Sequence, residues 1–227
     1  MLYAITDRRL YAEKKADALA QLVDLAATWA ANGVSFIQLR EKDLPAREQV
    51  ELTRAVLRAV QQVSGKASAP SVLVNARVDV ALAAGADGIH LPSGPDALTP
   101  EEVRRIFAAA GYSRLPAIGI SCHTMDEVSL AGQQSPNCIL FAPVFEKMIC
   151  EEDIPSDSER RGGGTITLPG TGLELLEQAC RAARPVPVFA LGGVTAENAA
   201  DCLHAGAAGI AAIRMMRQPP SVWKHLA

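Results

Sequence analysis

The stretch that most constrains this chain is 72–91, in which two apolar runs flank a short Ala-rich run. The first apolar run, Val72–Val74, stops at Asn75, and the second is Asp87–Leu91. The Ala-rich run between them, Val78–Ala84, has the length and composition of a helix. Strand, helix and strand within about twenty residues predict a parallel βαβ unit, because parallel strands need a crossover connection.

The alternation of strands and helices continues along the whole chain. Eight short apolar runs are predicted as strands: Leu2–Thr6, Val34–Leu39, Val72–Val74, Gly88–Leu91, Pro116–Ile120, Cys138–Phe141, Pro187–Leu191 and Gly209–Ile213. Eight strands that alternate with helices favour an α/β fold, a (β/α)₈ TIM barrel that spans 1–227 as a single domain. A doubly wound open sheet is the alternative. The absence of a GxGxxG fingerprint near the N-terminus disfavours it.

One long segment, 146–169, interrupts this alternation of strands and helices. It is polar, acidic and rich in Gly, and it follows the sixth predicted strand. Long loops without secondary structure in compact domains are usually lids or disordered segments. Because the segment leaves the carboxyl end of a strand, where barrel enzymes have their active sites, we predict a mobile lid. A disordered insertion is the alternative.

Composition excludes several classes of function. The net charge is −3 and no basic block is present, so nucleic acid is not an expected partner. The sequence has no apolar run of about 18 residues, so no membrane span is expected. The N-terminus resembles a strand rather than a signal peptide. The five cysteines form no CxxC pair, which favours reduced thiols and a cytoplasmic location.

Two groups of residues are candidates for phosphate binding. Gln38, Arg40 and Lys42 lie on one side of an extended strand end, and two cations beside an amide suit phosphate oxygens. An ion pair between Arg40 and Asp43 is the structural alternative. The second group consists of glycines near the last two strands, where barrels commonly bind phosphate through backbone N–H groups: Gly192, Gly193 and Gly209. Plain turn glycines are the alternative there.

Candidate acid–base groups follow the fifth strand. Ser121 and His123 lie at its end, and a histidine on this face could be a general acid or base. His90 is a weaker candidate, and a structural role is the alternative for both histidines. The sequence shows no Ser-His-Asp order and no metal-ligand cluster. From the residues alone, a phosphate-binding barrel could be a lyase, an isomerase or a transferase.

Several motifs together resemble the thiamine phosphate synthase/TenI family. They cover nearly the whole chain in order: YAITD, QLREKD, VNARVDVALAAGADGIHLP, GISCHT, FAPVF and ALGGV. The resemblance implies a (β/α)₈ barrel of thiamine biosynthesis, a homodimer, and a thiazole phosphate as the small-molecule substrate. One branch, the synthases, joins hydroxymethylpyrimidine diphosphate to thiazole phosphate with the help of Mg²⁺. The TenI branch is a thiazole tautomerase, which moves a proton and requires no cofactor.

Some motifs of this chain match the synthase branch and others match the TenI branch. Gln38, Arg40, Lys42 and Asn75 match the synthase grip on diphosphate. The synthases' Asn-Asp pair, whose Asp binds Mg²⁺, is Asn75-Ala76 here, and a methyl group cannot coordinate a hard cation.

Three further positions depart from the synthase pattern. The second metal carboxylate of the synthases is displaced to Asp96, and the phosphate-side Ser is Arg214. HLPSG, and the Glu146 that follows FAPVF, resemble the TenI version.

We therefore expect a TenI-like thiazole tautomerase in which His123 is the acid–base residue. Residues Gln38, Arg40, Lys42, Asn75, Ser121, Gly192, Gly193, Gly209 and Arg214 would bind substrate and phosphate. The first alternative is a thiamine phosphate synthase that gathers Mg²⁺ through Asp96, Asp43 or the acidic segment. The second is a non-catalytic regulatory protein that binds thiamine phosphate or thiazole phosphate.

Overall fold

The computed structural model describes residues 1–11, 15–150 and 165–226. The strands, in chain order, are β1 (Leu2–Ile5), β2 (Phe36–Leu39), β3 (Ser71–Asn75), β4 (Gly88–Leu91), β5 (Ala117–Cys122), β6 (Cys138–Phe141), β7 (Lys147–Cys150), β8 (Thr165–Leu168), β9 (Val188–Ala190) and β10 (Gly209–Ala212). The helices are α1 (Lys15–Ala31), α2 (Ala46–Ser68), α3 (Val78–Ala84), α4 (Pro100–Ala109), α5 (Met125–Gln133), α6 (Leu173–Ala182), α7 (Ala199–His204) and α8 (Pro220–Trp223). Short 3₁₀ turns occupy Arg8–Leu10, Met215–Arg217 and Lys224–Leu226.

Eight parallel strands close into a barrel, which confirms the predicted (β/α)₈ fold. The order around the barrel is β1, β10, β9, β6, β5, β4, β3 and β2. The last strand pairs with the first through Leu2–Ile210 and Tyr3–Ala211, so the sheet has no free edge. The helices pack outside, and none in the described ranges is long and apolar enough to cross a membrane.

Alternation along the strands divides the apolar residues between two clusters. The larger cluster lies between barrel and helices and contains residues such as Ile37, Val72 and Ile89. The smaller one includes Tyr3 and Phe189 and fills the barrel interior. The Tyr3 and Phe189 rings pack edge to face, with centroids 5.8 Å apart. This packed interior closes the barrel below its mouth, so ligands can be received only above it.

The prediction of a loop without secondary structure over 146–169 is wrong at both ends of that segment. β7 and β8 form an antiparallel two-stranded ribbon, with Lys147 opposite Leu168 and Cys150 opposite Thr165. β8, Thr165–Leu168, alternates polar and apolar residues, whereas β7 does not, and the acidic, Gly-rich sequence between them resembles a loop. The rest of the predicted lid, 151–164, lies outside the described residues.

Candidate active site

The carboxyl ends of four adjacent strands carry polar side chains. Gln38 is the penultimate residue of β2, Asn75 ends β3, His90 lies in β4 and Ser121 lies in β5. In the strand register, Asn75 is opposite His90. The parallel direction of the strands therefore gathers, at one end of the barrel, four candidates that are up to 83 positions apart in the chain, from Gln38 to Ser121.

Gln38 and Asn75 are joined directly. The Gln38 Nε2 donates a 2.8 Å hydrogen bond to Asn75 Oδ1. Gln38 is 2% exposed, and its Oε1 is buried with no partner among the described residues. A buried carbonyl oxygen without a donor is unfavourable, so this atom is suited to accept an N–H from a ligand.

Arg40 is a half-buried cation that follows β2 at the carboxyl end of the barrel strands. Its backbone N–H donates to Thr6 Oγ1 at 3.0 Å, which fixes the turn after β2. Within the described ranges its guanidinium has no hydrogen bond or ion pair, while Lys42 is exposed nearby in the chain. An unpaired guanidinium at the mouth of a barrel can bind an anion in bidentate fashion.

The acidic residues beside Arg40 are occupied by another arginine. Arg8 binds Asp43 through both terminal nitrogens, with Nη1 at 2.6 Å from Oδ1. It also donates Nη1 to the buried carboxylate of Glu41 at 3.2 Å. The hydrogen bonds from Arg8 lower the pKa of Asp43 to about 2. The alternative interpretation, an ion pair between Arg40 and Asp43, is therefore wrong.

His90 lies in a buried hydrogen-bonded row. Its Nδ1 is 2.9 Å from Tyr3 Oη, and its Nε2 is 2.9 Å from Ser121 Oγ. Burial, and to a lesser extent the charge of Arg40, lowers the pKa of His90 to about 3. At neutral pH this imidazole is uncharged. The structural alternative for His90 is the one that the contacts favour, because the ring is not exposed to solvent.

His123 is placed differently. It is exposed immediately after β5, and its Nδ1 is 2.6 Å from the carbonyl oxygen of Ala142. A carbonyl only accepts, so Nδ1 carries the proton and Nε2 is the basic nitrogen of the neutral ring. The backbone N–H of His123 donates to Glu127 Oε2 at 2.5 Å, in the cap of α5. The side chain is thus oriented, with one ring nitrogen available at the mouth.

The three candidate phosphate glycines do not lie together. Gly192 and Gly193 follow β9 at the carboxyl end, and both have positive φ angles, 92° and 66°. A Cβ at Gly193 would lie 2.5 Å from the Glu146 carbonyl oxygen, so only glycine fits. Gly209 instead begins β10, and a Cβ there would lie 2.1 Å from the Met1 carbonyl oxygen.

Gly209 is at the opposite end of the barrel, so its assignment as a phosphate-binding residue is wrong: it is needed where two strands approach closely. Arg214 follows β10 at the carboxyl end and is exposed. It therefore shares an end of the barrel with Gly192 and Gly193.

The described side chains do not fit the two-carboxylate magnesium site that the resemblance implies. Ala76 occupies one metal position, with φ of 59°. Asp43 is bound to Arg8, and Asp96 is exposed in the loop after β4. Among residues 1–11, 15–150 and 165–226, no three His, Cys, Asp or Glu side chains form a group that could hold a metal ion.

Sequence reasoning missed the residues that support this site from β1 and the turn after it. Tyr3 was part of an apolar run, where its hydroxyl gives no pattern signal. Thr6 and Arg8 precede a helix and resemble ordinary turn residues, yet both bind Glu41, whose Oε1 accepts from Thr6 Oγ1 at 2.6 Å. The one available signal was Glu41 between Arg40 and Lys42, but the sequence does not show that this carboxylate is buried and therefore requires partners.

Comparison with known proteins identifies the family. The sequence profile described as thiamine monophosphate synthase matches residues 2–159 and 166–216. The thiamine-phosphate synthase of Methanoculleus marisnigri is 36% identical, over 93% of this chain and 85% of its own length. That of Roseiflexus castenholzii is 33% identical, over 94% of this chain and 79% of its own length.

A solved structure of similar fold and sequence has a name from the same family. The thiamine phosphate pyrophosphorylase of Pyrococcus furiosus superimposes with a TM-score of 0.69 at 26% identity, covering 99% of this chain and 96% of that one. The N-acetylmannosamine-6-phosphate 2-epimerase of Clostridium perfringens, at 14% identity and a TM-score of 0.59, shares the fold alone.

Proposed function

Since the chain belongs to the thiamine monophosphate synthase family, we propose that it is a transferase that joins hydroxymethylpyrimidine diphosphate to thiazole phosphate with release of pyrophosphate. This was the first alternative in the sequence analysis, and the names of its relatives favour it over the tautomerase. The observation that carries the proposal is the guanidinium of Arg40, which has no hydrogen bond or ion pair among the described residues because Arg8 pairs with the neighbouring acids.

The chemistry that this site would perform is the departure of a diphosphate. As the C–O bond to the pyrimidine methylene breaks, its electron pair stays on the leaving diphosphate. Arg40 and Lys42 stabilise that negative charge, and the thiazole nitrogen then bonds to the methylene carbon. Gln38 Oε1 accepts an N–H of the substrate, and Gly192 and Gly193 hold the second phosphate.

The test is pyrophosphate release by the purified full chain with both substrates. Removing one preorganised donor to a developing anion lowers kcat by about 10²-fold, so we expect that loss for Arg40→Met. Arg47→Met is the matched control, because Arg47 is an exposed cation on α2 that pairs with Glu51. Equal activity of Arg40→Met and the control would contradict the proposal.

A second candidate, the thiazole tautomerase, is favoured by two observations. His123 presents Nε2 at the mouth while Nδ1 is bound to Ala142, and the position of one metal carboxylate is Ala76. A proton transfer needs a positioned base rather than a metal, and such a base contributes about 10²- to 10⁴-fold. Proton exchange of thiazole carboxylate phosphate in D₂O, followed by NMR, measures this activity. Turnover that His123→Gln abolishes, without pyrophosphate release, would replace the first proposal.

The same purified chain answers two remaining questions. Binding of thiazole phosphate without either reaction would favour the regulatory protein instead. Light scattering measures whether the chain forms the homodimer that the family resemblance implies.

A further inference from the structure

The barrel interior contains a row of three hydrogen-bonding groups that the proposed chemistry does not explain. It runs from Tyr3 in β1 through His90 in β4 to Ser121 in β5, with both hydrogen bonds at 2.9 Å. Tyr3 is fully buried, His90 is 2% exposed, and Ser121 is half-buried at the mouth. Each group can donate or accept, so the direction of the row has to be determined from its buried end.

The Tyr3 hydroxyl sets that direction. A buried O–H donor left without an acceptor is costly, and among the described residues His90 Nδ1 is the one hydrogen-bond partner of the Tyr3 hydroxyl. Burial raises the pKa of Tyr3 well above its usual value, so the phenol keeps its proton. Tyr3 therefore donates to Nδ1, and Nδ1 carries no proton.

The protonation of His90 in turn determines the direction of its hydrogen bond to Ser121, at the mouth of the barrel. An uncharged imidazole without a proton on Nδ1 has it on Nε2, and this N–H donates to Ser121 Oγ. Ser121 accepts that bond and still has its own proton to donate. Within the described ranges the Ser121 hydroxyl makes no other hydrogen bond, so this donor is available at the end of the barrel where Arg40 lies.

Gly119 provides the space for this arrangement. It lies next to His90 in the strand register. A Cβ at Gly119 would be 2.8 Å from His90 Nδ1 and 3.3 Å from Tyr3 Oη. Any side chain at position 119 would push the two rings apart.

We propose that Tyr3 and His90 are positioning residues: the phenol fixes the tautomer of His90, and His90 leaves the Ser121 hydroxyl as a donor to the phosphate oxygens of the substrate. This rests on the proposed function, in which a diphosphate lies at this end of the barrel. Neither Tyr3 nor His90 touches the reacting atoms.

The tautomer is measured first, by ¹⁵N NMR of the full chain with labelled histidine. We expect one of the four imidazoles to have its proton on Nε2 at every pH from 5 to 8, and the His90→Gln variant to lose that signal. A proton on Nδ1 of His90 would overturn the proposal. This readout needs no substrate, so it stands or fails independently of the proposed function.

The second measurement is a double-mutant cycle on the affinity for inorganic pyrophosphate. A hydrogen bond to a charged group is worth about tenfold or more in affinity, and we expect a loss of that size for Tyr3→Phe and for Ser121→Ala. If Tyr3 acts through Ser121, the double variant binds no more weakly than Ser121→Ala. Losses that multiply in the double variant would show a merely structural role for Tyr3 and would overturn the proposal.

Matched controls exist for both substitutions. Tyr112→Phe removes a phenol hydrogen bond to the Leu82 carbonyl, away from the mouth. Ser129→Ala removes a hydroxyl from the exposed face of α5. Both are expected to bind pyrophosphate as the parent protein does. Pyrophosphate binding with the expected cycle but without turnover would contradict the proposed function and leave this inference intact.

Discussion

The side-chain amide of Gln38 donates to Asn75 Oδ1 at 2.8 Å, and the carbonyl oxygen of the same amide is buried with no partner among the residues that the structure describes. The hydrogen bond from Nε2 thus fixes the orientation of the Gln38 carbonyl oxygen. Because a rotation of the amide would break the bond to Asn75, the free acceptor has a constant position at the end of β2. This is the preorganisation that a binding site needs.

Replacing Gln38 by Glu tests this directly. The carboxylate cannot donate to Asn75, and it places a negative charge where the diphosphate is expected. We expect kcat/KM for pyrophosphate release to fall by about 10²-fold or more, since Asn75 Oδ1 then loses its donor and a charge is placed at a buried position. Gln133→Glu, an exposed change of the same chemistry at the end of α5, is the control. An unchanged kcat/KM in Gln38→Glu would remove Gln38 from the site.

A second prediction concerns Arg8, which pairs with Glu41 and Asp43, so that Arg40 has no ion pair within the part of the chain that the structure describes. In Arg8→Gln the two carboxylates would compete for Arg40. We expect pyrophosphate to bind about tenfold more weakly, and the deficit to shrink as salt screens the unpaired acids. Calorimetric titrations at two ionic strengths measure this. Arg181→Gln, which breaks an exposed pair with Glu177, serves as the control, and an equal effect of both changes would contradict the assignment.

A third prediction compares the effects of Gly119→Ala and Gly132→Ala on the free energy of unfolding. A Cβ at Gly119 would lie 2.8 Å from the buried His90 ring, whereas at Gly132, inside α5, the nearest atom would be 3.5 Å away. We expect Gly119→Ala to lower the free energy of unfolding by about 1–3 kcal/mol through overpacking. Gly132→Ala should raise it by about 0.5–1 kcal/mol through helix propensity. Urea unfolding measures both, and a neutral Gly119→Ala would show that the interior can rearrange.

Part of the fold and of the site could be predicted from the sequence, and part could not. The eight barrel strands could be predicted because each is a short apolar run that ends in a turn signal. The Arg8–Asp43 pair could not, since it joins positions 35 apart through a contact that no local pattern encodes. Gly209 was assigned to the phosphate site because it lies near the last strand, although the predicted strand Gly209–Ile213 begins at this residue and so places it at the opposite end from the mouth. The β7–β8 ribbon was missed because its acidic surroundings resemble a loop.

The buried imidazole of His90 predicts a dependence of stability on pH. Its pKa in the folded state is about 3, against 6.5 in the unfolded chain, so the unfolded state binds more protons between these values. Stability is therefore lost as pH falls from 6.5 toward 3, by up to about 1.4 kcal/mol per pH unit. Urea unfolding at several pH values should show a shallower dependence in His90→Gln. An identical slope in both proteins would mean that His90 titrates normally.

The last prediction concerns metal binding at Ala76. This residue has a φ of 59°, a conformation that Asp and Asn adopt more readily than Ala, and it lies at the end of β3 beside Asn75. We expect Ala76→Asp to bind Mg²⁺ at least tenfold more tightly than the parent chain in a calorimetric titration, because it adds a hard oxygen ligand. Ala83→Asp, on the exposed side of α3, is the control. Equal affinities in all three proteins would show that position 76 does not face a metal site.

The central claim is the transfer reaction itself, and mass spectrometry tests it most directly. The purified chain is incubated with hydroxymethylpyrimidine diphosphate and thiazole phosphate, with each substrate omitted in turn. We predict thiamine phosphate and pyrophosphate in equal amounts, only when both substrates are present. Absence of thiamine phosphate, in a preparation that still exchanges the proton of thiazole carboxylate phosphate, would contradict the claim and establish the tautomerase.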